Sequence, residues 1–182
     1  MPYLHLVPIY PPNEPPLVAQ LAARLGHIFA SEVVVRPPHF DPERAFDTSR
    51  GQYNSTELLA HLLAEPAGDQ TRILGLAGVD LFIPILTYVF GEAQLSGRAA
   101  VVSIYRLDNT HYGLPRNDRL LLDRLVKEAT HELGHTYGLV HCNDTVCVMR
   151  SSTYVEDIDL KSERFCSACM PAVRGSRTAR PR

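Results

Sequence analysis

Residues 131–141 constrain this chain more than any other segment, and they read HELGHTYGLVH. Each residue of an α-helix advances by about 100°, so His131 and His135 are expected on the same face, one turn apart. Two imidazole nitrogens at that separation can bind one tetrahedral zinc ion. The segment therefore predicts a helix that carries a metal site on one face.

The rest of the segment indicates that the site is catalytic. His141 is too far along the chain to share the helix face, so the chain must turn back after His135. Gly138 permits this turn, because a glycine beyond a helix end adopts a positive φ without a steric penalty. Three protein ligands leave the fourth zinc position open, as in catalytic sites. Glu132 lies beside the ligands and is expected to activate the zinc-bound water as a base.

The cysteines predict a second metal site directly after the histidines. They form a C-x4-C pair and a C-x2-C pair: Cys142, Cys147, Cys166 and Cys169. Four thiolates in two close pairs match a closed, structural zinc site. The alternative is two disulfides, which require an oxidising compartment, and the N-terminus shows no signal-peptide pattern. Zinc is therefore favoured, and two zinc ions per chain are expected. Because His141 and Cys142 are adjacent, with Cα atoms about 3.8 Å apart, the structural zinc should support the catalytic one.

Together these residues resemble the archaemetzincins, a family of metzincin-clan zinc metallopeptidases. The resemblance rests on residues 131–169. In this segment Cys142 directly follows the third histidine, and Cys147 and Met149 come after it. It implies that His131, His135 and His141 bind the catalytic zinc and that Glu132 is the base. It also implies that Met149 lies in a tight turn beneath this zinc and that the four cysteines hold the second zinc.

The same resemblance implies the fold and the location of the substrate. The expected fold is a zincin-like α/β (α+β) metzincin fold, with a twisted mixed sheet, an antiparallel edge strand, two to three packed helices and a small zinc-stapled C-terminal subdomain. We place the substrate-binding edge strand in Leu86–Leu95, although an ordinary edge strand or loop fits that segment equally well. Tyr154 is a candidate for oxyanion support, and its alternative is a surface or core tyrosine.

Periodicity along the chain agrees with an α/β layer. Strands are predicted at 3–9, 32–36, 73–82 and 99–106, and helices from Leu17, from a capping box at Asn54, and from Asn117. We expect one catalytic domain over 1–182. It consists of an N-terminal subdomain (1–138), a cysteine-zinc subdomain (139–170) and a flexible basic tail (171–182).

The charge balance and the absence of a long apolar segment indicate which kinds of partner this domain binds. The chain has 182 residues, and its 18 basic and 20 acidic side chains give a net charge of −2. This balance predicts neither a nucleic-acid nor a membrane partner, and no segment is apolar over the length of a bilayer. With no leader sequence either, we expect a monomeric, cytoplasmic protein that acts on a peptide or protein substrate.

Three functions remain compatible with these residues. A zinc peptidase is favoured, acting as an endopeptidase or an aminopeptidase. A zinc-stapled peptide-binding module is disfavoured by Glu132, because a binding scaffold needs no base. A zinc hydrolase of a non-peptide amide remains open, because it would use the same zinc, base and oxyanion support.

Overall fold

The computed structural model describes residues 3–10, 15–68 and 70–175, and among these it has five α-helices and eight β-strands. In chain order they are β1 (Tyr3–Ile9), α1 (Pro15–Phe29), β2 (Glu32–Val35), β3 (Phe46–Asp47), β4 (Gln52–Asn54), α2 (Ser55–Leu63), β5 (Arg72–Ala77), β6 (Leu81–Phe82), β7 (Gly91–Ala93), β8 (Ala99–Ser103), α3 (Asp118–Thr136), α4 (Val155–Leu160) and α5 (Met170–Gly175). No helix in these described ranges is both long enough and apolar enough to span a membrane.

The main sheet is mixed and ends in an antiparallel edge strand, as predicted. Its order is β2-β1-β5-β8-β7, and all strands are parallel except β7, which runs antiparallel to β8. Helices α1 and α3 cover one face and α2 covers the other, so two separate apolar clusters form. Burial on both faces explains why β8 is a continuous apolar run rather than an alternating one.

The first strand, the first helix and the capped helix are confirmed, whereas the predicted strand 73–82 is wrong in one respect. The chain leaves the main sheet after β5, and β6 pairs with β4 in a small second sheet of order β3-β4-β6. Asp80 lies in the bend and accepts hydrogen bonds from Arg106 Nε at 2.6 Å and Nη2 at 2.7 Å. Strand β8 likewise ends at Ser103, before the predicted end at residue 106, and Arg106 forms this ion pair instead of continuing the strand. Strands of two or three residues are too short to show alternation, so the second sheet was not predicted.

Helix α3 brings the HELGH segment to the core. The Asn117 side chain accepts a hydrogen bond from the Leu120 N–H at 3.0 Å and begins the helix, as predicted. Leu125 and Ala129 are fully buried on the face toward α1 and the sheet. The helix ends at Thr136, and Gly138 has φ 85°, the left-handed conformation that the predicted turn requires. The core packing therefore fixes the direction in which the histidines point.

The C-terminal segment shares the core of the rest of the chain. Residues 139–154 are largely irregular, yet Val148, Ile158 and Phe165 belong to the same apolar cluster as α1 and α3. The predicted flexible tail differs in its first part, because residues 171–175 lie in α5. The remainder of that tail, 176–182, lies outside the described residues. The sequence also predicts a loop over the proline cluster Pro11, Pro12, Pro15 and Pro16. Pro11 and Pro12 lie outside the described residues, whereas the prediction is wrong for Pro15 and Pro16, which form the first turn of α1, where proline lacks no helical hydrogen bond.

Candidate metal centre and catalytic cleft

The three histidines of residues 131–141 converge at the C-terminal end of α3, which carries His131 and His135. One ring nitrogen from each of His131, His135 and His141 lies within 4.8 Å of the others. The Nε2 atoms of His131 and His135 are 3.1 Å apart. His131 is buried, His135 half-buried and His141 exposed, so the cluster opens to solvent on one side. The turn at Gly138 brings the third histidine back to the first two.

Backbone carbonyls orient two of these imidazoles. The Val148 carbonyl oxygen lies 2.8 Å from His131 Nδ1, and the Leu139 carbonyl oxygen lies 2.7 Å from His135 Nδ1. A carbonyl oxygen can only accept, so each Nδ1 must carry the proton and donate it. In the neutral rings each Nε2 then presents a lone pair, and these two lone pairs face each other. Two lone pairs at this distance repel unless a cation lies between them, so the donor set fits a metal ion.

The protonation of these rings agrees with that assignment. Burial lowers the pKa of His131 well below its usual value, and the nearby Lys161 ammonium lowers it further. Burial also lowers the pKa of His135. Both rings are therefore neutral near pH 7, which is the form that binds metal.

The Glu132 side chain extends from α3 to the edge strand β7. A Cβ added at Gly91 would come 2.6 Å from Glu132 Cγ and 2.9 Å from Glu132 Cδ, so its side chain lies directly against the backbone of β7. Burial raises the pKa of Glu132 well above its usual value, and the neighbouring Glu128 carboxylate raises it further. A carboxylate held in this way takes up a proton more readily than an exposed one.

A buried ion pair beneath the cleft was not predicted from the sequence. Lys161 Nζ lies 2.7 Å from Glu128 Oε1, and the exposed fractions of the two side chains are 0% and 4%. The same ammonium donates to the Arg150 carbonyl oxygen at 3.1 Å. Glu128 comes one helical turn before Glu132, so its spacing offered a signal that could have been used. Lys161 offered none, because its pairing depends on the tertiary fold.

The four cysteines form a second cluster beside the histidines. Their sulfur atoms all lie within 4.8 Å of one another, and all four are free thiols in the structure. Cys142 Sγ and Cys166 Sγ are 3.8 Å apart, well beyond the disulfide bond length of about 2.05 Å. Burial raises the pKa of Cys147, whereas backbone N–H groups of Cys169 and Ala168 lower the pKa of Cys166 to about 7. This arrangement fits a four-thiolate metal site.

Met149 lies directly behind the histidines. Its side chain is fully buried, and a Cβ added at Gly134 would overlap the Met149 sulfur. Gly134 lies between His131 and His135 in the chain. The Met149 thioether therefore packs against the part of α3 that carries these two histidines. The expected place of Met149 in a turn beneath the catalytic zinc stays a prediction.

The cleft in front of the histidines has a volume of about 760 Å³. Residues 86–93 and 151–154 line its two sides, and the histidines and Glu132 line it between them. Within the predicted segment Leu86–Leu95, only Gly91–Ala93 form the edge strand β7. The Glu92 carboxylate accepts hydrogen bonds from Ser55 Oγ at 2.5 Å and Thr56 Oγ1 at 3.0 Å, which tie β7 to the start of α2.

Tyr154 lies on the rim of the same cleft with 64% of its surface exposed. Opposite it, the Tyr88 hydroxyl donates to the Thr153 carbonyl oxygen at 2.9 Å and joins the two walls. The position leaves the Tyr154 hydroxyl available to a bound substrate. Its role in oxyanion support remains a prediction.

Comparison with known proteins identifies relatives that cover most of the chain. The sequence profile of peptidase family M54 matches residues 39–174. The archaemetzincin of Methanocaldococcus jannaschii is 41% identical over 151 residues, which are 82% of this chain and 81% of that protein. The crystal structure of archaemetzincin from Methanopyrus kandleri superposes with a TM-score of 0.80 at 38% identity, covering 96% of this chain and 94% of that one. The structure from Archaeoglobus fulgidus, complexed with malonate, gives a TM-score of 0.79 at 36% identity, covering 93% and 99%.

Proposed function

The chain belongs to peptidase family M54, the archaemetzincins, and from this premise we propose how its residues catalyse peptide hydrolysis. Membership makes the protein a zinc-dependent metallopeptidase whose substrate is a peptide or a protein. We assign the catalytic zinc to His131, His135 and His141, and a second, structural zinc to the four cysteines. Placement in the metzincin clan, with Met149 in the turn beneath the catalytic zinc, is part of the same proposal. The monomeric state and the cytoplasmic location are predictions from the sequence alone.

One observation carries the assignment of the catalytic metal. The His131 and His135 Nε2 atoms are 3.1 Å apart, and both opposite nitrogens face backbone carbonyls. This arrangement is unfavourable without a cation and favourable with one. A zinc ion bound there would acidify a water molecule and polarise the scissile carbonyl.

Glu132 supplies the proton transfers in this proposal. Its carboxylate accepts the proton of the attacking water and then delivers it to the nitrogen of the leaving amine. Burial favours the protonated form of this carboxyl, so the proton is held between the two steps. The Glu128–Lys161 ion pair lies one turn away and keeps a compensating positive charge close to the base. Tyr154, on the rim, is proposed to donate its hydroxyl to the carbonyl oxygen as negative charge develops.

The substrate is proposed to bind in extended form along β7. This strand pairs with β8 on one side and is the last strand of the sheet, so its other edge has backbone groups free of strand pairing. An extended peptide can add to such an edge through main-chain hydrogen bonds. Gly91 places this edge against Glu132, so a peptide on β7 would pass directly over the base.

A peptide library tests the proposed activity. We expect the zinc-loaded protein to cleave a subset of unstructured peptides, with a side-chain preference around the scissile bond. Removing the metal with a chelator should abolish cleavage, and adding zinc should restore it. Cleavage products identified by mass spectrometry will also separate internal cleavage from removal of single N-terminal residues. A fully zinc-loaded protein that cleaves none of the peptides would contradict the proposal and favour a non-peptide amide as substrate.

Replacing Gly91 by alanine should impair catalysis by moving the base. The new Cβ would lie 2.6 Å from both Glu132 Cγ and the Val101 carbonyl oxygen. Val101 is in the middle of β8 and cannot move away, so the Glu132 side chain must shift. A displacement of about 1 Å can lower the rate roughly 10²-fold, and we expect a loss of that size in kcat/KM.

The control for this variant is Gly175→Ala, because an added Cβ there meets no atom of residues 3–10, 15–68 or 70–175 within 4 Å. Zinc content should stay unchanged in both variants. The atoms nearest to the Cβ added at Gly91 belong to Glu132 and Val101, neither of which is a clustered histidine or cysteine. Full activity of Gly91→Ala would show that the contact between β7 and the base does not matter for catalysis.

A further inference from the structure

Three consecutive residues, 147–149, connect the two metal centres. The Cys147 thiol belongs to the cysteine cluster, and the Val148 carbonyl accepts the Nδ1 proton of His131 at 2.8 Å. The Met149 carbonyl accepts the backbone N–H of Cys142 at 2.9 Å. We call residues 147–149 the connecting segment. The connecting segment thus supplies a sulfur atom to the cysteine cluster and a carbonyl oxygen that orients His131.

A second connection runs through the peptide bond between His141 and Cys142. The Cys142 backbone N–H is held by the Met149 carbonyl, so the backbone of the third histidine is tied to the connecting segment as well. Two of the three histidines therefore depend on cysteine-bearing backbone for their position. His135 differs, because its Nδ1 faces the Leu139 carbonyl in the turn that follows its own helix.

The connecting segment is buried but has no regular secondary structure. Cys147, Val148 and Met149 are at most 1% exposed, and the segment lies outside every helix and strand of the described residues. It is held by the Val148 N–H, which donates to the Arg164 carbonyl at 3.0 Å, and by the Cys166 N–H, which donates to Cys147 Sγ at 3.4 Å. Both partners lie in or beside the second cysteine pair. In the structure the four cysteines are free thiols with no covalent link between the two pairs. A metal ion bound to all four sulfur atoms would join the pairs and hold this contact together.

We propose that the cysteine cluster is a positioning device that sets the metal affinity of the histidine centre. Zinc bound to the thiolates fixes the connecting segment, which in turn holds the Val148 carbonyl against His131 and the backbone of His141 in place. Hydrogen-bond partners of metal-binding histidines contribute roughly 10–100-fold to affinity, and the effect of the cysteine zinc should fall in this range. This inference rests on the proposed function, because it requires that the histidines bind zinc.

The test is Cys169→Ser, the cysteine farthest along the chain from the histidines. Cys169 is outside the connecting segment and its own N–H donates to Cys166, so its effect on the histidines must pass through the cluster. We expect the affinity of the histidine site for cobalt(II) to fall roughly 10–100-fold. Cobalt(II) bound to the cysteines shows a thiolate-to-metal charge-transfer absorption, whereas cobalt(II) bound to the histidines does not. The two sites can therefore be titrated separately. The control is Val146→Ser, a 57% exposed position directly before the connecting segment, which should leave both affinities unchanged.

A reciprocal measurement covers the case in which Cys169→Ser does not fold. Coupling between two binding sites is symmetric, so emptying the histidine site must weaken the cysteine site by the same factor. The affinity of the cysteine site is therefore compared between the wild type and His131→Ala/His135→Ala, which keeps all four thiolates. Equal affinities in this pair, or an unchanged histidine site in folded Cys169→Ser, overturn the inference and leave the proposed function intact. A wild type whose histidines take up no metal overturns both.

Discussion

Replacing Glu132 by glutamine is expected to lower kcat roughly 10²–10⁴-fold, because glutamine cannot accept the proton of the attacking water. The amide has nearly the same volume as the carboxyl, so the packing of this side chain against Gly91 should be kept. Metal content should remain that of the wild type, since Glu132 is not among the clustered histidines. The measurement is kcat on a cleaved peptide, together with zinc content by mass spectrometry.

The stability of this variant provides an independent readout. Burial raises the pKa of Glu132, so the folded, metal-free protein holds the proton more tightly than the unfolded chain. The protonated Glu132 carboxyl therefore stabilises the folded, metal-free protein at low pH. This contribution is lost as pH rises from the usual carboxyl pKa toward the raised pKa of the folded state. Glutamine removes this buried charge, and metal-free Glu132→Gln should unfold at a urea concentration no lower than the metal-free wild type at pH 7.

The control for Glu132→Gln is Glu32→Gln, an exposed carboxylate on β2 at the opposite edge of the main sheet. This control should keep its full kcat. Retention of wild-type kcat by Glu132→Gln, with zinc bound, would refute the role of Glu132 as the base and return the proton transfers to another group in the cleft.

Replacing His131 and His135 together by alanine is expected to reduce the metal content from two zinc ions per chain to one and to abolish peptide cleavage. These residues supply two of the three imidazoles in the cluster, and one remaining imidazole is not enough to hold the ion. The cysteines are untouched, so the remaining zinc should stay bound and the fold should persist. Native mass spectrometry of the purified variant and of the wild type measures the difference directly.

The matched control is His27→Ala/His111→Ala, which removes two exposed histidines outside the cluster. Two zinc ions are expected in this control. One zinc ion in both the wild type and the His131→Ala/His135→Ala variant would leave the cysteine site as the only metal site, and the peptide-binding module would then replace the peptidase assignment. Two zinc ions in the His131→Ala/His135→Ala variant would show that these histidines do not hold the second ion.

The sequence determined the residues that meet at the site because their geometry is local. His131 and His135 share a helix face by periodicity, and Gly138 adopts the positive φ that returns the chain to His141. The cysteine pairs likewise carry a metal-site spacing that can be read without a fold. The mixed sheet followed from alternating strand and helix patterns, because long elements repeat their periodicity often enough to be recognised.

Only the tertiary structure decided what surrounds these residues. The Glu128–Lys161 ion pair, the contact between Gly91 and Glu132, and the Val148 carbonyl at His131 each join positions that no local period relates. The short strands of the second sheet were missed for a similar reason, since their pairing rather than their composition defines them. Periodicity specifies which side chains share a face of one element. The partners that orient and charge those side chains come from other elements, and the packing of the whole core brings them together.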